Sequence, residues 1–166
     1  MKKKRVLIIL MISIVFGFAT GYSLHHWIHS ARFPEEKIML MPEHPFYLME
    51  EVNEEVLYNT LKHYDLPSPA IITAQAILES GNFKSKLCKD NNNLFGLYNS
   101  RTMSYFKFDS WISCVFAYKQ FILSRYDPEE DYYRFLDRIG YAEDSLYESK
   151  VKELELDIIN KYGSPD

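Results

Sequence analysis

Residues 6–24 form an unbroken run of nineteen uncharged, largely apolar positions, preceded by Lys2-Lys3-Lys4-Arg5. At 1.5 Å rise per residue, such a run makes a helix about 28 Å long, close to the thickness of a bilayer core. Residues 31–46 hold three prolines and no clean period, and read as a linker. From 47 to 64 the apolar positions Leu48, Val52, Val56, Leu57, Leu61 and Tyr64 recur near one face of a helix, which Asp65-Leu66-Pro67 stops. Ser68 as N-cap and Pro69 at the first helical position open a second helix that runs to Glu79 or Ser80, where Gly81 ends it. Residues 82–108 carry no long period. Residues 89–93 make a polar turn, and residues 102–108 are β-like in composition and predict a short hairpin with residues 94–98.

Asp109 or Ser110 then caps a third helix with Trp111, Val115, Tyr118, Phe121 and Ile122 on its buried face, and Asp127-Pro128 breaks it. A short fourth helix over 129–139 stops at Gly140, and a last amphipathic helix spans 143–162 ahead of a loose tail. The pattern predicts a mainly α (α+β) domain over 47–166, with a cleft between a small irregular lobe and a helical body. A cytoplasmic basic tip and signal-anchor helix over 1–30 and a linker over 31–46 precede it.

Charge refines this division. Residues 1–30 take four of the 19 basic residues and none of the 23 acidic ones, which leaves the remainder at a net −8. A domain of that sign lacks the basic footprint of a nucleic-acid binder. The basic cluster before the apolar run is expected to stay in the cytoplasm, so that the domain lies outside it, anchored to the cell membrane by a single pass. Gly17-Phe18-Ala19 offers a small-x-small cleavage site, and cleavage there would release a secreted protein. Trp27 with His25, His26 and His29 resembles an interfacial belt rather than a metal site. An exported domain permits a disulfide between Cys88 and Cys114, with two buried free thiols as the alternative. No Ser-His-Asp or Cys-His arrangement and no phosphate-binding glycine loop is present, so no cofactor or metal is implied.

The chemistry concentrates at Glu79, in Ala74-Gln75-Ala76-Ile77-Leu78-Glu79-Ser80-Gly81. A carboxyl at the end of a buried helix has its pKa raised by desolvation and by the partial negative charge of the helix C-terminus. It can then donate a proton near neutral pH, as cleavage of a glycosidic bond requires.

Four blocks in order carry a resemblance: AQAILESG, NNLFGLY ten residues later, YFKFDSWISCVFAYKQFI, and RIGYAEDSLYESKV. Together they resemble the bacterial glucosaminidase family, glycoside hydrolase family 73, over roughly residues 50–160. The resemblance implies a lysozyme-like fold and a peptidoglycan hydrolase that cuts the β-1,4 bond after N-acetylglucosamine. It implies Glu79 as general acid and Tyr141 as a second catalytic group that orients the N-acetyl group or polarises the attacking species. Asn93, Phe95 and Gly96 match the loop that floors the sugar cleft, and Tyr98, Tyr105 and Tyr118 are candidates for its wall. The expected partners are peptidoglycan strands and, through the N-terminal helix, the membrane.

One departure matters. Residues 97–108 contain no Asp or Glu, where many family members place a second acid, and the lobe is short. Glycosidases ordinarily use two carboxylates. Either another residue fills the second role, or the substrate's 2-acetamido group is the nucleophile, positioned by Tyr141 or by one of Asn91, Asn92 and Asn93. A lytic transglycosylase and a non-catalytic peptidoglycan-binding domain are the competing readings.

Overall fold

The computed structural model describes residues 51–142, 144 and 146–163. The expected membrane helix, the linker and residues 47–50 lie outside these residues; residues 51–53 are not helical, so the helix predicted over 47–64 begins only at residue 54. Among the described residues no helix is long and apolar enough to cross a membrane.

The first described helix, α1 (Glu54–His63), begins where Asn53 is extended and its side-chain oxygen accepts from the Val56 amide at 3.0 Å. Helix α2 (Pro69–Ser80) follows as the sequence predicts, but its start is made differently. Ser68 sits in the left-handed region at φ 48° and makes no side-chain cap. Pro69, which has no N–H to satisfy, opens the helix without that bond. Gly81 closes it at φ 60°, and the Asn82 amide reaches back to the Ile77 carbonyl at 2.8 Å. Residues 69–76 of α2 are buried all round, so this helix is the centre of the domain.

Next along the chain is α3 (Lys86–Asn91), six residues capped by Ser85, where the sequence predicts only irregular chain. A single turn and a half is too short to print a helical period. The expected hairpin is present but small. Strands β1 (Tyr98–Asn99) and β2 (Ser104–Tyr105) pair antiparallel with Tyr98 opposite Tyr105 and Asn99 opposite Ser104. The bond from the Phe106 amide to the Leu97 carbonyl at 2.9 Å extends them.

Helix α4 (Trp111–Phe121) takes Ser110, not Asp109, as its cap, and a 3-10 turn over Leu123–Arg125 ends it ahead of Asp127-Pro128. Helix α5 (Tyr132–Arg138) is capped by Asp131 and therefore starts later than residue 129. Helix α6 (Tyr147–Tyr162) starts four residues after the predicted 143. Helix α2 packs chiefly against α6 and α1. The molecule is mainly helical with one two-stranded sheet.

Candidate active site

Glu79 is the penultimate residue of α2, one turn after Gln75 on the same face. The neighbouring α2 positions toward the N-terminus are buried, yet Glu79 itself is exposed. The desolvation that the sequence predicts for the carboxyl is present, although the residue as a whole keeps an exposed side. Protein atoms nevertheless crowd it. Loss of hydration pushes its carboxyl from an ordinary 4.5 up to about 7, against a hydrogen bond from Tyr147 that pulls the other way. Exposure and crowding together describe a carboxyl at the domain surface, packed by protein on part of its circumference and open to solvent on the rest. Water on that open side weakens the shift in the free protein, and a bound sugar that covers it would strengthen the shift.

The Asn-Asn-Leu-Phe-Gly loop lies across from this carboxyl. Gly96 has φ 63°, and a Cβ built on it would stand 4.0 Å from Glu79 Oε2. This left-handed turn brings bare backbone close to the acid. Asn93 holds the loop in shape: its Nδ2 donates to the Leu97 carbonyl at 2.8 Å and the Phe106 carbonyl at 3.0 Å, while its Oδ1 accepts from the Leu97 amide at 2.8 Å. Asn93 is buried, as is Phe95, whose ring packs on Tyr118 with centroids 4.2 Å apart. Both therefore support the loop from behind and do not offer a sugar-contacting surface. Tyr118 is 0% exposed, so its expected place in the cleft wall is also corrected: it belongs to the packing behind Glu79. Tyr98 and Tyr105 meet edge to face across the hairpin at 5.2 Å. Tyr105, 48% exposed, presents an open aromatic surface on the small lobe.

Four phenols and one amide back the acid. Gln75, fully buried, donates from Nε2 to the Tyr147 hydroxyl at 3.2 Å and accepts at Oε1 from the Tyr118 hydroxyl at 2.9 Å. The Tyr118 and Tyr132 hydroxyls are 3.1 Å apart, and Tyr141 also hydrogen-bonds to Tyr118. Burial pushes all four phenols up, so each is neutral wherever the protein is folded at ordinary pH. Tyr141 is buried, with its ring 5.7 Å from that of Tyr147. Both rings line a cavity of about 330 Å³ together with Tyr133, Leu136 and Ala142 and the acids Asp137, Asp144 and Glu148. Glu79 does not line this cavity; Tyr147 connects the two places.

The sequence patterns gave Gln75 and Tyr147 no role. A polar residue inside the apolar stretch Ile71–Ile77 was the signal for Gln75, since a buried amide must find partners. Tyr147 closes the Gly-Tyr-Ala block, but only the fold shows that it returns to Glu79.

No second carboxylate is found opposite Glu79 on the hairpin. Asp90 pairs with Lys86 on α3. Asp144 accepts from the Leu146 amide and pairs with Lys150 at 2.8 Å, and Glu148 pairs with Lys152 at 2.5 Å. Cys88 and Cys114 are free and buried rather than bridged. Cys114 Sγ accepts from the Leu94 amide at 3.3 Å, and burial pushes its thiol up to about 12. Among the described residues no group of three His, Cys, Asp or Glu side chains could hold a metal ion.

The family model described as Glucosaminidase, mannosyl-glycoprotein endo-beta-N-acetylglucosaminidase, matches residues 55–163. No curated protein and no solved structure matches the chain.

Proposed function

The chain belongs to the glucosaminidase family and is a glycoside hydrolase of the endo-β-N-acetylglucosaminidase type; from that premise we propose that it cuts peptidoglycan at the β-1,4 bond after N-acetylglucosamine, with Glu79 as the proton donor. The observation that carries this is the carboxyl of Glu79, open to a ligand on one side, crowded on the others, and raised to about 7. Near neutral pH it is partly protonated, as a general acid must be. Tyr98 and Tyr105 on the hairpin supply aromatic faces for a sugar to lie against.

The nucleophile in this reading is the substrate's own 2-acetamido oxygen. Its attack on the anomeric carbon forms the new C–O bond as the glycosidic C–O bond breaks, and the proton of Glu79 passes to the leaving oxygen. Water then opens the cyclic intermediate and returns a proton to Glu79. Two observations support this choice: residues 97–108 offer no carboxylate, and of the acids Asp137, Asp144 and Glu148 near the cluster the last two are engaged by lysines. Tyr141 is assigned to the acetamide. Tyr118 spends its own proton on Gln75, so Tyr141 donates inward to Tyr118, and in this reading its hydroxyl oxygen is the acceptor for the acetamide N–H. Accepting that N–H makes the acetamide oxygen more nucleophilic. The same proposal places the domain outside the cytoplasm, carried there by residues 1–30.

The test is Glu79→Gln. General acid catalysis contributes about 10²- to 10⁴-fold, so digestion of purified peptidoglycan should fall by at least that much while the far-ultraviolet dichroism is unchanged. Full activity in the variant would end the proposal. Mass spectrometry of the wild-type products should find reducing N-acetylglucosamine ends; 1,6-anhydro-muramic ends would instead identify a transglycosylase.

A further inference from the structure

The hydrogen bonds behind Glu79 run in one direction. Tyr118 gives its only proton to Gln75 Oε1. Its oxygen is left as an acceptor, so the contact with Tyr132 at 3.1 Å must be a donation from Tyr132. With its oxygen thus committed, the Gln75 amide turns its Nε2 toward Tyr147. A phenol that faces an NH₂ group cannot donate to it. That leaves the proton of Tyr147 for the Glu79 carboxyl, one helical turn from Gln75, which it holds below the value that crowding alone would give. Gln75 and Tyr118 are both fully buried, so water does not compete for these bonds.

We propose that Gln75 and Tyr147 are positioning residues that decide which oxygen of the Glu79 carboxyl carries the catalytic proton. The inference rests on the reading of Glu79 as the acid. The oxygen that accepts from Tyr147 is occupied on that side, so the acidic proton resides on the other one, available to the open side where a sugar oxygen would lie. A donated hydrogen bond also favours the ionised carboxylate over the neutral acid. Tyr147 thus limits how far crowding raises the Glu79 pKa and keeps the group able to release its proton at neutral pH.

Among the described residues, the titratable groups that face Glu79 are Tyr147 from α6, Tyr118 from α4 and Tyr141 from the α5–α6 connection, while the loop opposite presents the backbone of Gly96. All three phenols stay neutral across the working range. A shift in the basic limb of the pH–rate profile therefore reports Glu79 itself.

The experiment is the pH dependence of kcat and KM for Tyr147→Phe on purified peptidoglycan, with thermal melting as the check on folding. The basic limb should move to higher pH by on the order of one unit, with kcat reduced at the optimum and KM little changed. Gln75→Leu should move the limb the same way by less, because Tyr147 then keeps its proton donor but loses its fixed orientation. A titration of the Glu79 carboxyl carbon by NMR gives the same answer for any variant too slow to assay. If both variants fold and the limb stays in place or moves to lower pH, the positioning role is overturned. Loss of activity in Glu79→Gln with an unmoved Tyr147→Phe profile would overturn this inference alone. An active Glu79→Gln would overturn the reading beneath it.

Discussion

At the scale of single residues, the raised pKa of Glu79 links catalysis to stability. Its value in the folded protein, raised toward about 7 by crowding and held back by water on its open side, lies above the ordinary 4.5 expected when unfolded. The folded state thus binds this proton more tightly, so stability falls as pH rises from about 4.5 to about 7 and levels off above that. Glutamine mimics the protonated acid at every pH. Thermal melts of Glu79→Gln should therefore show a higher Tm than wild type at pH 8 and an equal Tm at pH 4. A gain of the same size at both pH values would mean that the carboxylate is not strained by its surroundings. If Glu79 is the proton donor proposed above, rate and stability come from one source, since the crowding that raises its pKa also destabilises its charged form.

At the scale of elements, the loop after α3 is a small structure held by one side chain. Asn93 uses both ends of its amide on the backbone of Leu97 and Phe106, and so ties the loop to the base of the hairpin. Asn93→Ala would leave these buried backbone groups without a partner. Urea unfolding should show a loss of about 3 kcal/mol, with activity lost in step as Gly96 moves away from Glu79. Little of this was legible beforehand. The polar run ahead of the loop predicts a turn, and Asn93 in it suggests ligand contact as readily as scaffolding. Only burial distinguishes an amide that serves the backbone from one that serves a sugar. The same holds for Phe95 and Tyr118, whose aromatic character suits either a cleft wall or a core and whose burial assigns them to the core.

At the scale of the whole molecule, α2 is the axis on which the site is hung. It is buried on every side and wedged between α1 and α6, and its exposed end carries the acid. Helix α6 contributes Val151 and Ile158 to the core and delivers Tyr147 to Glu79 from the far end of the sequence. Tyr58 of α1 stacks on Tyr162 at 5.3 Å and donates to the Gly163 carbonyl at 3.0 Å, which closes the two ends of the domain on each other. Ile158→Ala should cost about 2–5 kcal/mol in chemical denaturation, because a buried methyl-rich side chain is replaced by a cavity. Its effect on kcat at low temperature, where the fold persists, should be small, since the change is two turns and more from Tyr147. The surface ion pairs, such as Lys150 with Asp144 and Lys161 with Glu54, are open to solvent on at least one partner and add little to this total.

The sequence by itself determined the helical class, the bounds of α2 and the acid at its end. Each follows from local signals: apolar periodicity, a proline at the start, a glycine at the stop, and a carboxyl beside that glycine. Tertiary structure alone decided what surrounds the acid. Gln75, Tyr118, Tyr132 and Tyr147 are spread over more than 70 positions and share no period. Whether a phenol faces a carboxyl, a sugar or the core depends on how separate helices pack, and no spacing along the chain encodes that.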